Sequence, residues 1–197
     1  MRLPSSRYEE IKSAAVDMLE LVGANSIPVD PFAIAEKLGI KTIAYSNLGE
    51  DGKEVALKLS ENGFKLELGA SDSEMVHRIY YNDSHPIGRV RFTLLHEIGH
   101  IVLGHQQESE VAEAEANFFA KFTIAPPSLV CVIRPNDYVD IASAFDLSQE
   151  CAFNSWNYYQ SWLHVKKKPE YEQTLQRLFV MGEAKGGEAM LRMERGA

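Results

Sequence analysis

The sequence predicts an α+β fold, rich in helix, with one small antiparallel sheet of three or four strands. Three observations lead there. Apolar residues recur at helical spacing near the start of the chain. Between about residues 41 and 82 the pattern turns to short, β-rich runs separated by turn residues. From Pro86 onward the helical period returns and persists. With 197 residues the chain suits one domain with a small appendage. The expected division is a core over 1–128, a small helical unit over 129–165 and a tail over 166–197 that is helical or, at its Gly-rich end, poorly ordered.

The first helix covers 7–22, where Ile11, Ala14, Ala15, Met18, Leu19 and Val22 form one stripe and Gly23 supplies the stop. Asp30 can cap a short second helix with Pro31 at its first position and Gly39 closing it. KTIAYS (41–46), EVALKL (54–59), FKLELG (64–69) and HRIYYN (77–82) read as strands, and Asn62-Gly63 is a hairpin signal between the middle two. Next, Val90, Leu94, Leu95, Ile98, Ile101 and Val102 give an apolar helical stripe that ends at Gly104. Ser109 is a natural N-cap for a further helix, VAEAEANFFAKFTI, which runs to Pro126-Pro127. Shorter helices are expected over 137–145, 148–163 and 170–180.

Composition narrows the function. Hydrophobic residues make up 45% and charged residues 24%, the balance of an ordinary soluble globular protein. No apolar run approaches the roughly 18 residues of a membrane span. The N-terminus has acidic residues where a signal peptide needs an apolar core, so a cytoplasmic protein is expected. Cys131 and Cys151 lie in no CxxC pair and read as reduced thiols, which disfavours a cysteine-ligated zinc site. The net charge of -8 opposes direct nucleic-acid binding, since a phosphate-tracking groove needs clustered cations. Arg78, Arg89 and Arg91 lie near one helix, and Lys166-Lys167-Lys168 ahead of Pro169 reads as a solvated linker.

One motif carries chemistry. His96-Glu97-Ile98-Gly99-His100 matches H-E-x-x-H. On a helix, residues i and i+4 lie one turn apart and about 40° around the axis. His96 and His100 can therefore offer imidazoles to one zinc ion, while Glu97, turned about 100° away, suits a general base. A pattern with three fixed positions arises by chance in many proteins. Its place in the middle of a strongly periodic helix, with Gly99 leaving room for close approach, raises its weight.

Zinc needs a third protein ligand. His105 follows His96 by nine positions, about 180° around a continuing helix, and its interval is one residue short of the three-histidine protease pattern. It reads instead as a helix-end residue facing free carbonyls and the dipole. The following helix holds Glu110, Glu113, Glu115 and Asn117. Glu113 and Asn117 share a face, which suits a ligand and a group that orients a histidine. Glu115 lies about 200° from Glu113, so only one of the two can face a metal, and Glu115 is the fallback. Glu110 reads as solvated, and Phe118, Phe119 and Phe122 as packing.

These segments together resemble the ImmA/IrrE family of metallo-endopeptidases. The resemblance is carried by SIPVDPFAIAEKLGI, RVRFTLLHEIGH, AEAEANFFAKFTIAPP and DIASAFDLSQECA, and covers about residues 8–160. It implies a zincin-like domain with the active-site helix packed by the short sheet. It also implies His96, His100 and Glu113 as zinc ligands and Glu97 as the catalytic glutamate. Members act inside cells, and several cleave a helix-turn-helix repressor and so derepress mobile-element or stress-response genes. KFTIAPP departs from the family's two leucines and single proline, at a place beyond the ligand helix. The chain shows no helix-turn-helix of its own, so the expected partner is a separate protein substrate.

The implied reaction is metal-assisted peptide hydrolysis. Candidates for stabilising the oxyanion are His77, His85, Tyr80, Tyr81, Tyr138 and Arg134, with none singled out. The strand HRIYYN could pair with an extended substrate along its edge. The alternative is a non-catalytic regulator that uses the zincin fold to bind a repressor or another protein; an intact Glu97 argues against it.

Overall fold

A computed structural model describes residues 2–69 and 75–181. In chain order the elements are α1 (Ser5–Val22), α2 (Pro31–Lys37), β1 (Lys41–Ala44), a 3-10 turn (Tyr45–Leu48), α3 (Gly49–Leu59), β2 (Gly63–Gly69) and β3 (Met75–Tyr81). There follow α4 (Ile87–Val102), α5 (Glu110–Ile124), α6 (Pro127–Ile133), α7 (Tyr138–Phe145), α8 (Gln149–Leu163) and α9 (Glu170–Gln176), which runs into a π turn at Arg177–Met181. The fold is helix-rich α+β. Packing groups the described residues into two compact units, one over Pro31–Ala120 and the other combining Arg2–Asp30 with residues 121–181. These units differ from the sequence-based segments, which cut at 128 and 165.

The first unit carries the sheet, in the order β1-β3-β2. The expected all-antiparallel sheet is corrected to a mixed one. β2 runs antiparallel to β3, with Gly63 opposite Tyr81, but β1 runs parallel to it, with Lys41 opposite Arg78. α4 packs on β2 and β3. Ile79 of β3 and Leu94, Leu95 and Ile98 of α4 are fully buried and anchor that helix. α2 also packs on α4, and Gly39 ends α2 at φ +71°, followed by a bond from Ile40 N–H to the carbonyl of Ala35 at 2.8 Å.

EVALKL is not a strand. It is the second half of α3, and the hairpin expected at Asn62-Gly63 does not form there. Two features favour helix. Glu50 and Asp51 lie in the first turn and Lys58 in the last, each complementing the helix dipole, and Glu54 pairs with Lys58 one turn on. The alternating residues Val55, Leu57 and Leu59, which suggested a buried strand face, are exposed by 57%, 41% and 67%. KTIAYS likewise ends as a strand at Ala44, where the 3-10 turn begins.

Gly63 is required by crowding. A Cβ there would lie 2.7 Å from the Tyr80 carbonyl oxygen and 2.7 Å from Thr93 Cγ2. The oxygen belongs to the paired β3 backbone and cannot move aside. Gly63→Ala is therefore expected to destabilise the fold by about 1–3 kcal/mol. Urea unfolding should show a lower midpoint at unchanged slope; an unchanged midpoint would show that β2 can shift freely against α4.

In the second unit, α1 buries Ile11, Ala15, Val16, Met18, Leu19 and Val22, and Gly23 closes it at φ 64°. α1 packs on α9, α6 on α8 and α9, and α7 on α8. Asp137 caps α7 by accepting from Val139 N–H at 2.7 Å, and Ser148 caps α8 by accepting from Cys151 N–H at 3.2 Å. Glu172 is buried and accepts from Trp162 Nε1 at 2.8 Å. Cys131 and Cys151 are free and half-buried. Of the tail expected over 166–197, Glu170–Gln176 form α9, and the part from residue 182 lies outside the described residues.

One composition-based expectation needs correcting. The stretch Glu110–Ile133 is long and apolar enough to cross a bilayer, with a mean hydropathy of 1.4 in its best window. That window is 67% buried, and the stretch is broken between α5 and α6 at Pro126.

Candidate metal centre

The centre lies within the first unit. α4 presents His96 and His100 one turn apart, and their Nε2 atoms approach to 3.0 Å. α5 supplies Glu113 from its first turn. Its Oε2 lies 3.4 Å from His96 Nε2 and its Oε1 3.2 Å from His100 Nε2. Tetrahedral zinc, with bonds of about 2.0–2.2 Å, holds its ligand atoms about 3.3 Å apart. The two nitrogens and the carboxylate thus have the spacing of three corners of a zinc tetrahedron. They are a cluster whose donor atoms all lie within 4.8 Å of one another.

Electrostatics suits the same use. Burial holds the His96 imidazolium below its ordinary pKa, against the opposing charge of Glu113. Burial, with His96 and His105 nearby, brings His100 down to about 4. Both rings are therefore neutral near pH 7, and each has a lone pair to offer. Asn117, one turn after Glu113, donates from Nδ2 to the Glu113 carbonyl at 2.8 Å, and its side chain beside His96 opposes the lowering of that ring's pKa.

The helices can approach this closely because of Gly99. A Cβ at Gly99 would sit 2.9 Å from Cδ1 of Phe119, a fully buried residue of α5. The space that the sequence reading assigned to backbone or substrate is filled by this ring.

Glu97 is buried beside the cluster. Burial, then the charge of Glu113, pushes its carboxyl up to about 8, opposed by a hydrogen bond from the backbone N–H of Lys65. The site opens into a groove of about 1260 Å³, lined by Gly63, Phe64 and Lys65 of β2 as well as by His96, Glu97 and His100. None of the six oxyanion candidates lines it. Tyr80 stacks on Phe64, Tyr81 packs edge-on against Phe32, and the ring of His85 lies 3.1 Å from the Glu61 carbonyl. HRIYYN is also corrected as a docking edge. β3 is the central strand, paired on both sides over Arg78–Tyr81, whereas β2 is at the edge.

His105 departs most from expectation. It is not one of the three clustered donors, but neither does it merely face the helix end. α4 stops at Val102, and Gly104 turns left-handed at φ +70°, so counting residues along a continuing helix fails there. The chain folds back, His105 N–H bonds the His100 carbonyl at 2.9 Å, and the His105 ring lies beside His100. Its Nδ1 is 3.0 Å from His100 Nδ1 and its Nε2 2.9 Å from Glu115 Oε2. Glu115, the fallback ligand, thus points at His105, while Glu113 enters the cluster. Lys65, absent from the sequence reading, donates to the His105 carbonyl at 3.0 Å. No local pattern marks it, since the contact spans forty residues.

A helix-borne pair of histidines, a glutamate from the next helix and a buried carboxyl in an open groove form a metallopeptidase-type site. The chain matches the family model Peptidase_M78, the IrrE N-terminal-like domain, over residues 35–152, and it belongs to that peptidase family. No curated protein and no solved structure matches it.

Proposed function

We propose that this protein is a zinc-dependent endopeptidase of the cytoplasm that cleaves a helix-turn-helix repressor and so releases mobile-element or stress genes. The observation that carries the peptidase reading is the His96–His100–Glu113 cluster at zinc spacing, beside Glu97, in an open groove. The repressor as substrate rests on the resemblance to ImmA/IrrE proteins, and a protein substrate accords with the net charge of -8.

In this reading His96, His100 and Glu113 hold the ion. Bound there, zinc supplies Lewis acidity, polarising a carbonyl and making water nucleophilic at neutral pH. Beside the bound ion's positive charge, which would offset that of Glu113 and favour the ionised carboxylate, Glu97 takes the proton of the attacking water and later delivers it to the leaving amine. The Lys65 backbone and ammonium beside Glu97 favour its carboxylate form. Asn117 fixes His96. Among the described residues no strand pairs with the outer edge of β2, and an extended chain can align along it.

The test uses the purified protein and a helix-turn-helix repressor encoded beside its gene. One equivalent of zinc and discrete repressor fragments by intact-mass spectrometry are expected, with cleavage lost on chelation and restored by zinc. A protein that binds no zinc would overturn the metal reading. A zinc-loaded protein that leaves the repressor whole would overturn the substrate.

A further inference from the structure

We propose that His105 and Glu115 are a positioning pair that fixes the ring of His100 for metal binding, an inference that rests on the metal reading above. The geometry admits one consistent proton arrangement. If His100 offers Nε2 to the cluster, its proton is on Nδ1, and Nδ1–H donates to His105 Nδ1 at 3.0 Å. The His105 proton is then on Nε2, which donates to Glu115 Oε2 at 2.9 Å. The chain of bonds ends on a carboxylate. That is the arrangement that orients a ligating imidazole and raises its basicity.

The burial of Glu115 gives this weight. It is only 6% exposed, whereas Glu110 and Glu113 on the same helix are exposed. A carboxylate is costly to bury unless its oxygens are bonded. The backbone also invests in the arrangement: Gly104 reverses the chain, and Lys65 Nζ holds the His105 carbonyl at 3.0 Å. A residue serving only to end α4 would need none of these side-chain bonds.

The test compares His105→Leu, His105→Gln and Glu115→Ala with the wild-type chain. The readouts are zinc affinity, by competition with a chromophoric chelator, and the imidazole N–H signals of 15N-histidine-labelled zinc protein. His105→Leu is expected to weaken zinc binding about 10- to 100-fold and to expose the His100 Nδ1–H to exchange. Glutamine can accept from His100 and donate to Glu115, so His105→Gln is expected to recover affinity to within about threefold of wild type. If His105→Leu fails to fold, Glu115→Ala takes its place, with the same loss expected.

Wild-type affinity in His105→Leu or in Glu115→Ala would overturn the inference, as would a His105→Gln protein as weak as the leucine variant. In those cases the zinc-binding wild type leaves the metal reading standing. A wild type that binds no zinc overturns both.

Discussion

Glu97→Gln is expected to abolish peptide cleavage while zinc stays bound. The amide matches the carboxylate in size and can still accept the Lys65 N–H, so the groove keeps its shape. It cannot take a proton from water. A positioned general base contributes about 10²–10⁴-fold to rate, and a loss of at least that size in kcat is expected. Zinc content and thermal midpoint should remain close to wild type. Burial and the neighbouring Glu113 already disfavour the Glu97 charge, so a neutral side chain there does not cost the metal-free fold stability. Metal analysis beside a fragment assay decides the matter. A variant that retains zinc and still cuts at the wild-type rate removes Glu97 from the mechanism. A wild type and variant that both bind the repressor and leave it whole point to the non-catalytic alternative, in which the fold serves as a binding module.

What could be read from the chain depended on how local the cause was. The spacing of His96 and His100 on one helical face follows from helix geometry alone, as does the shared face of Glu113 and Asn117. The helix stops at Gly23, Gly39 and Gly104 were legible because each glycine takes a positive φ that the end of a helix favours. EVALKL misled because its alternating apolar residues mimic a strand face. Whether they are buried is decided by the neighbouring elements, and here they face solvent. Gly63 misled in another way. Asn-Gly is a turn signal, yet this glycine is needed because Thr93 and the Tyr80 backbone come too close for a side chain. The parallel pairing of β1 with β3 joins segments 37 residues apart and leaves no periodic trace. His105 was excluded by an angle that holds only while the helix continues, and the helix ends three residues earlier. Its partner Glu115 was seen as a competitor of Glu113, since periodicity places a residue on a face without saying what meets that face.

Phe119→Ala is expected to have the largest effect on stability of any single truncation near the site. The ring is fully buried, and it lies against Gly99 between the two histidines of α4. Removing a buried phenylalanine side chain costs about 3–5 kcal/mol through lost burial and the cavity left behind. That is a large share of the roughly 5–15 kcal/mol that holds a domain folded. Urea unfolding followed by far-UV circular dichroism measures it. Zinc affinity should fall as well, because the same contact sets the separation of α4 and α5 and therefore the 3.2 and 3.4 Å distances from Glu113 to the histidines. Gly99→Ala strains this contact from the other side, with its Cβ placed 2.9 Å from the ring. With Phe119 shortened to alanine, that Cβ has room. The double variant should therefore cost less than the sum of the singles, by about 0.5–3 kcal/mol. Strict additivity would show that α4 and α5 are held at their spacing by other contacts.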